Sequence, residues 1–209
     1  MPVGSIGRSN LILIAVGYAG GLAAFPWLPG PYFGPEQSLV VGAAIAFLIP
    51  TAAFVTCAAV ETLFSRTTSH APHFESAKAI RAVSTCTVRF MVALHGLVLV
   101  SLLGFPISGF PVHRLVMVLF GLLLVGIGNV LPQVRPNTVV GIRTRHLLDD
   151  RVAWSRVHRM AGYFLVTLGV IAVGAGLMLS KSQIPLVLSS TVVFGATLNL
   201  AAYRRWTRG

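Results

Sequence analysis

Six long apolar blocks constrain this chain more than any other feature of its sequence. A membrane-spanning helix needs about 20 mainly apolar residues. By that rule the blocks run Asn10–Trp27, Ser38–Phe64, Thr85–Phe105, Val112–Leu131, Met160–Leu179 and Pro185–Tyr203. Only 10% of the residues are charged and 55% are hydrophobic, whereas soluble domains carry about 25% charged residues. Because a helix satisfies its own backbone in lipid, we predict an all-α polytopic membrane protein with six transmembrane helices in one domain, residues 1–209.

The basic residues set the expected orientation of these helices. If the N-terminus is cytosolic, fourteen of the sixteen Lys and Arg residues fall on cytosolic segments, and only Arg114 and Lys181 fall outside. Cytosolic loops of membrane proteins carry such an excess. With an even number of spans, both termini are predicted to be cytosolic.

The net charge of +11 has two readings. In a soluble protein it would suggest nucleic acid. In a membrane protein the same charges mark the cytosolic face and contact anionic lipid headgroups. We therefore expect a lipid bilayer with anionic lipids as the partner and no direct contact with nucleic acid, while a specific acidic protein partner stays open.

Few ionisable residues lie inside the blocks. Glu61 lies near the cytosolic end of the second block, where an ion pair with Arg66 or Arg89 is one reading. His95 lies deeper, in the third block. An ionisable residue in a span raises a functional hypothesis, so a proton-relay role for His95 stands beside a plain interhelical hydrogen bond. The cysteines and histidines lack ligand spacing, so no disulfide, metal or cofactor is expected.

The predicted outer turns are rich in proline and aromatic residues, above all the stretch Trp27–Pro35. Proline stops helices, and Trp and Tyr favour the headgroup layer. The stretch is therefore either an interfacial turn or a lip that binds an extracellular peptide.

The longest polar run, residues 128–162, is called the signature segment here, and we place it on the cytosolic side. Asn129 at its start is expected to bond to another helix or cap freed carbonyls, and Pro132 ends the fourth helix. Arg135-Pro136-Asn137 forces an extended or turning backbone, and Gly141 permits an unusual backbone angle.

The second half of the signature segment is predicted to begin a helix. Asp149 and Asp150 suit a helix N-terminus, because carboxylates there meet the positive end of the dipole. The stretch Arg151–Arg159 then fits an amphipathic helix leading into the fifth block. Trp154 and His158 are four residues apart and share a face of that helix.

The residues of the signature segment resemble those of the SdpI family of bacterial membrane proteins. The resemblance is carried by Gly128-Asn129-x-x-Pro132, Arg135-Pro136-Asn137, Gly141-Ile142-Arg143-Thr144, Trp154 and His158-Arg159-x-x-Gly162. The pattern of that family has Pro-Trp after Arg-Thr where this chain has Arg145-His146, and many members have a longer first outer loop.

The resemblance implies a multi-pass protein of the bacterial inner membrane. It also implies immunity to, or sensing of, a secreted membrane-active peptide toxin outside, with signalling to a cytosolic regulator. We therefore expect a non-enzymatic protein that signals through the signature segment.

A second hypothesis is a membrane enzyme or lipid-headgroup-binding protein. In that reading Arg135, Asn137, Arg143, His158 and Arg159 gather round a lipid phosphate, since arginine binds phosphate bidentately. Asp149 or His158 would then act as acid or base. A transporter is a third reading, and it suffers from the shortage of charge inside the spans.

Overall fold

A computed structural model describes most of the helical part of the chain. The described residues are 6–28, 38–68, 74–104, 111–137, 141–142, 145–180, 182–183, 186, 189–190, 192–193, 195–197 and 200. The described part is helical, with α1 Arg8–Ala24, α2 Ser38–Thr68, α3 Phe74–Leu102, α4 Val112–Val130, α5 Arg145–Asp149 and α6 Arg151–Met178. Short 3-10 turns, Phe25–Trp27 and Leu131–Gln133, follow α1 and α4.

Among the described residues, five helical stretches are long and apolar enough to cross a membrane. They are Arg8–Trp27, Val41–Leu63, Ala77–Leu102, Val112–Gln133 and Arg151–Met178. These stretches fit a polytopic all-helical membrane protein. The predicted sixth span, Pro185–Tyr203, lies largely outside the described residues, as does most of the predicted outer lip Trp27–Pro35. The cytosolic placement of both termini stays a prediction.

Two helices begin earlier than the apolar blocks that predicted them. α3 begins at Phe74 rather than near Thr85, and α6 begins at Arg151 rather than near Met160. In both cases polar residues with good helix propensity extend the apolar helix. The predicted amphipathic stretch Arg151–Arg159 is therefore the first part of α6 and not a separate element.

The chain divides into two compact units, Met1–Thr62 with Ser84–Val112, and Leu63–Val83 with His113–Gly209. They are called unit 1 and unit 2. The prediction of one membrane domain stays a prediction. Each unit has its own buried residues, described below.

Unit 1 contains a close approach between α1 and α2 at a proline. Pro50 lies inside α2, and because proline has no N–H, the carbonyl of Ala46 loses its helical partner. That carbonyl faces Gly21 of α1, and a Cβ atom at Gly21 would collide with it. A glycine at this position is therefore needed for α1 to lie against the proline break.

Buried polar groups in unit 1 form a short chain of contacts. The Asn10 amide nitrogen donates to the Cys57 Sγ atom at 3.5 Å, and Cys57 Sγ lies 3.3 Å from Ser84 Oγ. Both Cys57 and Cys86 are free thiols. These contacts give partners to the Asn10 amide nitrogen and the Ser84 hydroxyl, which would otherwise be costly to bury.

Unit 2 is organised by a seam of glycines between the antiparallel helices α4 and α6. Gly128 faces Gly162, and Gly121 faces Gly169, so each step of seven residues along α4 is matched by seven in reverse along α6. A Cβ atom at any of these four positions would lie 2.6 to 2.8 Å from the carbonyl oxygen of the facing glycine. Small residues at such spacing let two backbones approach closely in a membrane.

Candidate functional site: the signature segment

The N-terminus of α6 places the key side chains of the signature segment. Asp150 is the N-cap, and its carboxylate accepts hydrogen bonds from the amides of Val152 at 2.8 Å and Ala153 at 3.0 Å. The prediction that the acidic pair begins a helix is confirmed for Asp150, whereas Asp149 is the last residue of α5. Once the first turn is fixed, Trp154 and His158 lie one turn apart on the buried side of α6.

Trp154 and His158 stack on each other. Their ring centroids are 4.0 Å apart and their planes differ by 15°. Both side chains are almost fully buried, with 1% and 0% of their surface exposed. The shared face expected from the four-residue spacing is therefore confirmed.

Both ring nitrogens of His158 are hydrogen-bonded. Nδ1 donates to the carbonyl of Trp154 at 3.0 Å, and Nε2 accepts from the backbone N–H of Ile142 at 3.1 Å. A neutral imidazole with its proton on Nδ1 satisfies both partners. His158 therefore holds the signature segment against α6 at Ile142.

Trp154 holds the signature segment against α6 at Val134, also through a side-chain hydrogen bond to the backbone. Its indole nitrogen donates to the carbonyl of Val134 at 2.7 Å. Val134 itself is buried, just after the 3-10 turn that follows α4. We call these two side chains, with the two backbone groups that they bind, the clasp.

Gly141 lets the chain reach the clasp. Its φ angle is +117°, which a side chain disfavours, and a Cβ atom there would collide with the His158 imidazole. The unusual backbone angle predicted for Gly141 is confirmed. The glycine has two functions here, because it supplies the angle and leaves room for the ring.

An apolar cluster includes the clasp residues Val134 and Trp154. It contains Ala79, Leu131, Val134, Leu147, Trp154 and Val157. Leu147 is fully buried although it lies in the five-residue helix α5. Sequence reasoning did not single out Leu147 or Val134. The apolar pair Leu147-Leu148 within a polar run was the signal for the first of them.

The remaining predicted site residues lie around the clasp in several environments. Pro132 packs against Gly162, where a Cβ atom would come within 2.9 Å of its ring. Asn137 donates from its side chain to the Arg135 carbonyl at 2.8 Å across Pro136, which confirms a turn there. Asn129, Arg135 and Arg159 are exposed. Arg143 and Thr144 lie outside the described residues.

The two predicted intramembrane polar residues lie in unit 1 and not in the signature segment. Both are buried, with Glu61 at 3% exposure and His95 at 1%. Glu61 has an interaction partner. The backbone of Gly17 lies near the His95 ring, but neither ring nitrogen makes a hydrogen bond within the described part of the chain. The interhelical hydrogen bond, one of the two readings of His95, stays a prediction.

A comparison with protein families matches the C-terminal part of the chain. The model of the SdpI/YfhL protein family matches residues 133–203. The match covers 71 of the 209 residues, so this stretch is similar to the SdpI family. Searches of curated proteins and of solved structures returned no match to it. Within the described residues, five apolar helices of membrane length fit a multi-pass membrane protein.

Proposed function

We propose that this protein is a member of the SdpI family, that it protects a bacterium against a secreted membrane-active peptide or senses that peptide, and that it signals through the signature segment. The observation that carries the proposal is the family match, which begins at Gln133 and covers the loop, both aromatic rings of the clasp and all of α6. We place the protein in the bacterial inner membrane, with the signature segment cytosolic.

The packing of unit 2 supports a signalling route along α4 and α6. The glycine seam brings their backbones together, so the two helices cannot slide past each other by small amounts. At one end of the pair, the Arg114 guanidinium donates to the α6 carbonyl of Leu177 at 3.2 Å. At the other end, the clasp attaches the loop to α6. A ligand that favoured a second arrangement of this pair would thereby change the loop.

The proposed output is a changed presentation of the signature segment to a cytosolic regulator. Arg135 and Arg151 are exposed around the clasp and offer charge to such a partner. The clasp rings themselves are buried, so they hold the loop and do not contact the partner directly.

The alternative of a membrane enzyme gains less support from the geometry. An acid or base must reach its substrate within hydrogen-bond distance. His158 is fully buried and both of its nitrogens are already bonded. Asp150 caps α6. The lipid-binding part of that alternative is supported by a different surface, which is described below.

A survival experiment tests the proposal. Cells without the gene, and cells that carry the wild type, His158→Ala or Gly174→Ala, are exposed to culture supernatants of the producing strain and of its neighbours. Gly174 is the matched control, because it lies in α6 and a Cβ atom there would meet nothing within 4 Å. Membrane levels of each variant are measured on blots.

We expect the deletion strain and His158→Ala to die, and the wild type and Gly174→Ala to survive. Equal survival of all strains would contradict immunity. Transcript profiling after sublethal exposure tests the sensing branch, which predicts a response that is lost in His158→Ala. If neither survival nor transcripts depend on the gene, the proposed function fails.

A further inference from the structure

The outer side of α6 carries an exposed stripe whose chemistry changes along the helix. The stripe follows the three- and four-residue spacing of one helical face and consists of Arg156, Arg159, Tyr163, Thr167, Val170 and Leu177. It lies opposite the face that carries Trp154, His158 and the seam glycines. The stripe begins with two cations, continues with a phenol and a threonine, and ends with apolar groups.

The first three members of the stripe, Arg156, Arg159 and Tyr163, lie close enough to act on one ligand. Arg156 and Tyr163 are seven residues apart, which is about 10 Å along a helix, and Arg159 lies between them. Tyr163 is 67% exposed. Within the described residues none of the three side chains makes a hydrogen bond or an ion pair. By contrast, the Arg114 guanidinium is bound to a carbonyl of α6.

We propose that Arg156, Arg159 and Tyr163 form a binding site for one anionic phospholipid. The two guanidinium groups bind the headgroup phosphate, which arginine recognises through paired N–H donors. The Tyr163 hydroxyl donates to the phosphate or to the ester oxygens below it. An acyl chain then lies along Thr167, Val170 and Leu177.

The order of the groups selects a lipid over a soluble anion or an acidic protein. A phospholipid presents phosphate, then ester, then hydrocarbon, and the stripe presents cation, then phenol, then apolar side chains in the same direction. Tyrosine belongs to the membrane interface for the same reason. A soluble acidic protein would bind the two cations but would not cover the apolar part of the stripe.

Contacts on the opposite face of α6 fix the orientation of the helix that carries this site. Its opposite face is fixed by the clasp at Trp154 and His158 and by close packing at Gly162 and Gly169. The stripe residues thus project from a helix that cannot rotate without breaking those contacts. The site needs no peptide ligand, and it stands apart from the proposed immunity role.

The test is a binding titration on the full chain in a neutral detergent. Fluorescent phosphatidylglycerol is the probe, and unlabelled phosphatidylcholine and glycerol 3-phosphate are the competitors. The variants are the double substitution R156Q/R159Q and Tyr163→Phe. The control is R8Q/R89Q, which removes the same charge from two exposed arginines of unit 1. Unfolding midpoints show whether each variant is folded.

We expect R156Q/R159Q to weaken binding about tenfold or more, since two charge-assisted contacts are lost. Tyr163→Phe should weaken it about two- to fivefold through one neutral hydrogen bond, and the control should change it by less than about twofold. An equal loss in the control would overturn the proposal, because attraction would then depend on net charge alone. Full competition by phosphatidylcholine, or by glycerol 3-phosphate, would overturn it too, the latter by showing a soluble-phosphate site.

Discussion

The glycine seam predicts a large difference between two alanine substitutions in the same helix. In Gly169→Ala the new Cβ atom would lie 2.6 Å from the Gly121 oxygen and 2.8 Å from a Val125 methyl group. Ordinary carbon contacts begin at 3.4 Å, so α4 and α6 must separate by about 0.8 Å. Overpacking of this kind costs about 1–3 kcal/mol. In Gly174→Ala nothing lies within 4 Å, and alanine is the better helix former by about 1 kcal/mol.

The assay is the free energy of unfolding in detergent micelles, measured for the two single variants and for G121A/G169A. Gly121 and Gly169 face each other, so the separation forced by one alanine makes room for the other. The double variant should therefore lose clearly less than the sum of the two single losses. If Gly169→Ala is as stable as Gly174→Ala, or if the two losses at the facing pair simply add, the close approach of the two backbones is wrong.

Three further predictions concern the signature segment. Trp154→Phe keeps an aromatic ring but leaves the buried Val134 carbonyl unpaired, and it should cost about 1–3 kcal/mol in the free energy of unfolding; an unchanged value would show that the indole bond is unimportant. Gly141→Ala meets both a positive φ angle and the imidazole, so the Ile142 amide should exchange with deuterium at least about tenfold faster, consistent with strain of about 1–3 kcal/mol; wild-type exchange would contradict it. Asp150→Ala removes the N-cap and should lower stability by about 1 kcal/mol, whereas Asp150→Asn should retain most of it in the same unfolding assay.

Much of the fold follows from apolar length. Five of the six predicted spans correspond to helices of membrane length, because hydrocarbon leaves few alternatives for so many apolar residues. The helix beginning at Phe74 was missed because hydropathy marks where lipid begins and not where a helix begins. The N-cap at Asp150 is a local property, and there the sequence was sufficient.

The site was predictable only where its causes are local. The common face of Trp154 and His158 follows from helix geometry, and the conformation of Gly141 from its missing side chain. The bonds to the Val134 carbonyl and the Ile142 amide join positions 20 and 16 residues apart, and their backbone groups have no residue-specific signal. The glycine seam did have a signal, a spacing of seven residues in both α4 and α6, which sequence reasoning did not use.

The regular spacing of the seam also creates an ambiguity that the chain must resolve as it folds. If α6 slipped by seven residues, Gly169 would meet Gly128 and Gly176 would meet Gly121, so the helices would find the same number of glycine pairs. The seam alone therefore does not distinguish the two registers of α6 against α4. The clasp distinguishes them, because a slip of about 10 Å would carry Trp154 away from its carbonyl. Substitutions in the clasp are therefore expected to give two products. One is an unfolded chain, and the other inserts into the membrane with α6 paired seven residues out of register against α4.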